Sequence, residues 1–136
     1  MFYNFIQYLR DEFPAEIIYS NGRILIAGQT VIPDRNILVN ESGGGEQPWI
    51  QYVEKTVQII TRDFAVTDAR KLAWDIYERI TSKFGQQFPL ATVDGIVYNA
   101  IQSAQITGIQ EPFNLGADDE GRFEFTTNYK IIYNRV

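Results

Sequence analysis

An α+β domain is what this sequence predicts, with an antiparallel sheet of about four main strands and helices packed on one face. Two observations carry the strands: Val53 to Arg62 and Arg122 to Tyr133 alternate apolar and polar residues almost strictly, the period of a half-buried strand. A third carries the covering layer. Ala69, Leu72, Ala73, Ile76, Tyr77 and Ile80 hold a helical stripe, while Asp68, Arg70, Lys71, Asp75, Glu78 and Arg79 line the opposite side. The order helix, hairpin, strand, strand, helix, strand, strand then gives an antiparallel sheet with its helices on one side.

Taken in order, Phe2, Phe5, Ile6 and Leu9 fall at i, i+3, i+4 and i+7, so residues 1–11 read as a helix that Pro14 ends. In "EIIYSNGRILIAG" two short apolar runs flank Asn21-Gly22, which reads as an N-terminal hairpin. Pro33-Asp34 centres a turn, and Ile37 to Glu41 is a strand. "SGGGEQPW", Ser42 to Trp49, is the low-complexity stretch of the chain. Its three glycines carry a high ordering cost, so it reads as a mobile loop unless something external holds it.

Within Val53 to Arg62, the residues Val53, Lys55, Val57, Ile59 and Thr61 share one face, with Lys55 the awkward member. For the helix that follows, Thr67 is the expected N-cap and Gly85 the expected stop. Asp75 and Arg79, four apart, add a few tenths of a kcal/mol. Two strands close the chain, Ile96 to Thr107 and Arg122 to Tyr133. In the last, Phe123, Phe125, Thr127, Tyr129, Ile131 and Tyr133 point one way, and Arg122, Glu124, Thr126, Asn128 and Lys130 the other.

With 136 residues the chain is expected to be a single domain, 1–136, large enough to bury one proper core. No run approaches the ~18 apolar residues of a membrane span, and the acid-bearing start "MFYNFIQYLRDEF" does not predict a signal peptide. There is no cysteine and no histidine, so disulfides, thiolate metal sites and the commonest general base are absent. A net charge of -5 with scattered Lys and Arg argues against a surface that grips phosphate.

Two segments call for a decision about chemistry. Asp118, Asp119 and Glu120 precede Gly121. A calcium loop needs oxygen ligands at alternate positions before its glycine and a Glu six residues after, but Gly116 and Thr127 occupy its first and last slots. A paired-carboxylate hydrolase needs its acids on separate elements about 5 Å or more apart, which neighbours on one loop are not. The trio therefore reads as the solvated tip of a hairpin. "GGGEQP" lacks the lysine and hydroxyl of a phosphate loop, and Pro48 stands where a helix would begin. The aromatic residues fall mostly on core-facing rows. Trp49, which follows the glycines and Pro48, is the exception, and reads either as local packing or as an anchor for a partner.

The C-terminal stretch "IQEPFNLGADDEGRFEFTTNYKIIYNR" resembles the end of the tail terminator proteins of tailed bacteriophages, also called tail completion or minor capsid proteins. The matching positions are Gln110, Pro112, Leu115, Gly116, Glu120, Gly121, Arg122, Glu124, Phe125, Asn128, Tyr129 and Tyr133. Upstream, "IPDRNILVNESGGG" and "KTVQIITRDFAVTDARKLAWDIYERI" are similar to the family's turn, strand and glycine loop and to its strand-then-helix unit, so the likeness runs from about residue 31 to the end. The acid order departs from the family, with no Asn between Glu120 and Gly121, which bears on the turn type.

The resemblance implies a structural virion protein of the tail and neck, assembled in the host cytoplasm, with no catalytic residue, metal or cofactor. It implies a homo-oligomeric ring, typically a hexamer, that caps the tail tube, stops its polymerisation and joins the tail to the head. The implied partners are further copies of the chain, the tail tube protein, a neck or connector protein on the head side and, in a contractile tail, the sheath protein. No membrane is implied, and DNA only as the transiting genome. On that reading Ser42, Gly43, Gly44, Gly45, Glu46, Gln47, Pro48 and Trp49 form an interface with a neighbour, and some of Asp118, Asp119, Glu120 and Glu124 face the lumen or a ring edge. A head-side connector protein is the alternative. A small carboxylate-dependent hydrolase, with acids such as Glu54 and Glu124 converging from different strands, stands behind both.

Overall fold

In the computed structural model the chain is described over residues 1–20, 33–43, 52–81 and 83–134. Two helices, α1 (Phe2–Glu12) and α2 (Val66–Ile80), cover one face of a seven-stranded sheet. Its members are β1 (Ile18–Ser20), β2 (Asn36–Gly43), β3 (Tyr52–Asp63), β4 (Lys83–Phe88), β7 (Ile101–Gly108), β8 (Phe113–Ala117) and β9 (Phe123–Asn134). A separate two-stranded ribbon joins β5 (Ala91–Val93) to β6 (Ile96–Tyr98). The main order is β1-β2-β3-β9-β7-β4, with β8 added on β9, and every pair is antiparallel except β1 with β2. The α+β class and the one-sided helices match the expectation. The strands are more numerous than the four main ones foreseen.

The two alternating segments pair with each other along their whole length, from Tyr52 opposite Asn134 to Asp63 opposite Phe123. Their shared period puts Val57, Ile59, Tyr129 and Ile131 on the helix side, where they meet Phe5, Ile6 and Leu9 of α1 and Leu72, Ile76 and Ile80 of α2. Small residues let α2 come close: Ala69 and Ala73 pack on Phe125, and the Thr61 hydroxyl donates 2.9 Å to the Ala69 carbonyl. At the other end of α2 the ring of Tyr77 lies over Gly108, where an added Cβ would stand 2.6 Å from Cε2. Lys55, the awkward residue on this face, sits partly buried opposite Ile131.

Several boundaries move. Helix α2 is capped by Ala65 rather than Thr67, which lies inside its first turn, and it ends at Ile80 because Thr81 turns extended. Gly85 is no helix stop. It belongs to β4, at φ +63, in a strand whose register shifts on either side of Gln86. The expected strand Ile96 to Thr107 is broken into β6 and β7, and the link before the acid trio contains β8. Ile18–Ser20, the first run of the expected N-terminal hairpin, pairs parallel with Ile37–Val39. The Asn21-Gly22 turn and the run after it lie outside the described residues.

Strands β7 and β8 share one edge of β9. The Ile109 N–H donates 2.8 Å to the Asn128 carbonyl and Phe113 faces Thr126, so the edge spends four steps (109 to 113) while β9 advances two (128 to 126). Pro112, which cannot donate to a ladder, lies in that excess. The result is a short excursion that separates β7 from β8 where one longer strand was possible.

Candidate functional site

The acid trio forms the turn of the β8–β9 hairpin. The Asp118 N–H donates to the Arg122 carbonyl at 2.7 Å, and the Gly121 N–H to the Asp118 carbonyl at 3.0 Å. Gly121 sits at φ +84, a conformation that costs a glycine little and other residues more. The Asp118 carboxylate then closes the turn from inside. Its Oδ1 accepts from the N–H of Glu120 at 3.0 Å and of Arg122 at 2.9 Å, and its Oδ2 takes the Arg122 Nε at 2.8 Å. Loss of water around Asp118 acts to raise its pKa, but the two backbone donors and the guanidinium together outweigh that and hold it below the ordinary value.

The four acids singled out in the sequence thus fall into two kinds. Asp118 is consumed by its own turn. Glu124 sits on the helix-free face and accepts 2.6 Å from Arg62 Nε, while Arg62 Nη1 donates 2.6 Å to the Tyr19 hydroxyl. Asp119 and Glu120 are exposed, Glu120 with a loose 3.6 Å approach to Arg122. No pair of these carboxylates converges on a common point from two elements. Glu54 and Glu124 do not converge either: Glu54 faces Ile132, whereas Glu124 faces Arg62, roughly 27 Å further along β3 at strand spacing. Among the described residues no group of three or more His, Cys, Asp or Glu is placed to hold a metal ion.

Of the glycine segment, Ser42 and Gly43 lie at the exposed end of β2. A register shift between Glu41 and Gly43 leaves Ser42 as the extra residue, and Gly43 takes φ +91. Gly44, Gly45, Glu46, Gln47, Pro48 and Trp49 lie outside the described residues.

Two features escaped the sequence reading. One is a ladder on the helix-free face, in which Tyr19, Leu38, Ile60, Thr126 and Phe113 stand side by side on five strands. Its signal was Ile60, an apolar residue on the nominally polar side of β3. The other is the β5–β6 ribbon. Its turn is Asp94-Gly95, with φ +52 and +77, the two positive values that a two-residue hairpin turn requires. That dipeptide is in the sequence and is the strongest short hairpin signal there is, but it is flanked by strands of only three residues.

The base of this ribbon is clamped. Asn4 of α1, almost wholly buried, directs its side-chain NH2 to the carbonyls of Pro89, Tyr98 and Asn99 at 2.9 to 3.0 Å. Two hydrogens are shared among three acceptors, so all three depend on one side chain. Tyr3 packs its ring on Tyr98 at 5.0 Å, and Phe88 beneath is fully buried against Phe5 and Tyr8.

What these groups do is hold positions: turns, registers and a projecting ribbon. Residues 30–135 match a family profile described as bacteriophage tail terminator protein. A search of curated proteins finds no match. The family is a structural one of the phage tail, and the match takes in both long strands, α2, the ribbon and the acid turn. The chain belongs to the bacteriophage tail terminator protein family.

Proposed function

We propose that copies of this chain close into a ring of six that caps the tail tube, stops its polymerisation and joins the tail to the head. The family match over residues 30–135 carries this reading. In such a ring each copy meets its neighbours head to tail through two different surfaces. The segment from Ser42 to Trp49 contacts a neighbouring copy in the ring. The tail tube protein binds below and a neck protein above, with the sheath protein alongside in a contractile tail.

The acids fit a surface that DNA passes without adhering. Asp119 and Glu120 project from the β8–β9 turn, and at a lumen or ring edge they repel phosphate. Asp118 and Glu124 are tied to arginines and contribute structure more than field.

Electron microscopy of the purified protein, alone and mixed with polymerised tail tubes, tests the reading. Rings of one size, seated on tube ends and halting growth, are the expected result. A protein that stays monomeric in both conditions defeats it.

A further inference from the structure

Among the described residues Tyr52, Val66, Phe84 and Ile109 are exposed singly, and six further exposed apolar side chains fall into two sets toward opposite ends of the sheet. One set is the β5–β6 ribbon with its approach: Leu90, Ile96 and Val97. Ile96 and Val97 are consecutive on a strand, so they point to opposite faces of the ribbon, yet they are 56% and 55% exposed. The ribbon is therefore a finger bare on both sides. Its stem is not loose, because Asn4 and Tyr3 pin it to α1.

The second set is Phe64, Phe113 and Leu115, all about half exposed. Phe64 follows the end of β3 and approaches the site of Gly121 in the acid turn, and the other two lie on β8. The register separates the sets. Phe113 faces Thr126 near the start of β9, whereas Ala104 faces Tyr133 at its end and the finger emerges beyond Phe88, opposite Ile101. From Phe123 to Asn134, β9 covers about 35 Å.

We infer that the finger of one copy seats on the end of the next that bears Phe64, Phe113 and Leu115, and that this contact forms part of the seam of the ring beside the Ser42–Trp49 contact. The inference rests on the ring reading above and adds the surfaces. Two unlike apolar patches at opposite ends of one molecule suit a head-to-tail contact, which uses both. A two-fold dimer pairs a patch with itself and leaves the other bare. The area points the same way. Half-exposed rings offer about 75–125 Å² each and half-exposed aliphatics about 30–60 Å² each, so the six side chains bring on the order of 400 Å² of apolar surface to the contact. With its polar surround that is about 700 Å², against the ~1,200 Å² or more of a stable free pair. Such a seam is weak singly and persists where ring closure holds every copy at both ends.

The chain has no cysteine, so cross-linking can be placed at will. Val97→Cys and Leu115→Cys single variants and the double variant are treated with a short bismaleimide under ring-forming conditions, on tube ends as well as free. A mixture of the two single variants is expected to give cross-linked dimers and nothing longer. The double variant is expected to give a ladder of products, and each single variant alone none. In parallel, Ile96→Asp is expected to keep the thermal midpoint of the monomer while weakening assembly about ten-fold, as for a residue at an interface centre. Rings seen by microscopy with no cross-link in the mixture overturn this contact and leave the ring intact. Cross-linking of a single variant with itself, in place of the mixture, replaces the head-to-tail contact with a symmetric one and also overturns it. A protein that never assembles, alone or on tubes, removes the ring reading and this inference together.

Discussion

On its helix side β9 buries Phe125, Thr127, Tyr129 and Ile131 between the partly exposed Phe123 and Tyr133, whereas on its open side Glu124, Asn128, Lys130 and Ile132 are partly exposed and Thr126 alone is buried. The helix side is held by volume: rings and branched chains fill the space beneath α1 and α2. The open side is held by pairs, Glu124 on Arg62 and Asn40 on Gln58, and by one apolar row that ends at Phe113. One face of the strand specifies the fold, and the other fixes register and leaves surface for neighbours.

Adjacent isoleucines test that division most sharply. Ile131 is fully buried on the helix side and Ile132 is partly exposed on the open side. Ile131→Ala should cost about 2–5 kcal/mol by urea denaturation, lost transfer energy plus a cavity. Ile132→Ala should cost less than about 1 kcal/mol. Equal losses would mean that the open face is packed as tightly as the covered one.

Gly108→Ala probes the helix side from above. A methyl there meets the Tyr77 ring at 2.6 Å, and that ring is confined between Trp74 and Tyr129. Overpacking of this kind should cost about 1–3 kcal/mol. An unchanged unfolding midpoint would show that α2 rides up without penalty.

Thr126 tests the open side in the opposite direction. It is buried between Ile60 and Phe113 in the cross-strand row, and its hydroxyl has no hydrogen-bond partner among the described residues. Thr126→Val keeps the shape and removes the unpaired group, so stability should rise by up to about 1 kcal/mol. A clear loss of stability would mean that the hydroxyl is satisfied and the row is more polar than it looks.

The same contrast explains what could be read in advance. The helix side announces itself by period: the alternation in β3 and β9 and the stripe of α2 are legible because nearly every position obeys one rule. The acid turn is also legible, since Asp and Gly carry turn chemistry in their own side chains. Beyond these, local signals fail for physical reasons. Strands β5, β6 and β8 are three to five residues long, too short for a period, and β8 exists because β9 offers an edge to pair with. The parallel pairing of β1 with β2 is a tertiary choice that no dipeptide records. Helix α2 starts at Val66 rather than after Thr67 because the chain leaves β3 at Asp63, whose carboxylate takes the Ala65 N–H at 3.1 Å. The exposed apolar finger and patch resemble ordinary strand residues until the sheet shows what stands on each side of them.

The smallest effect belongs to the acid turn, and pH isolates it. Asp118 has a depressed pKa in the folded chain, so its contribution is complete above the unfolded value of about 3.9 and drains away as pH falls through the lower folded value. Asp118→Asn keeps an oxygen for the N–H groups of Glu120 and Arg122 and removes the charge that Arg122 meets at 2.8 Å. Between neutral pH and pH 3 the unsubstituted protein should therefore lose more stability than the variant, by a margin read as the difference of two denaturant midpoints. Parallel losses would show that the carboxylate acts in this turn through its shape alone, and that the charge of the hairpin tip is free to serve the surface it faces.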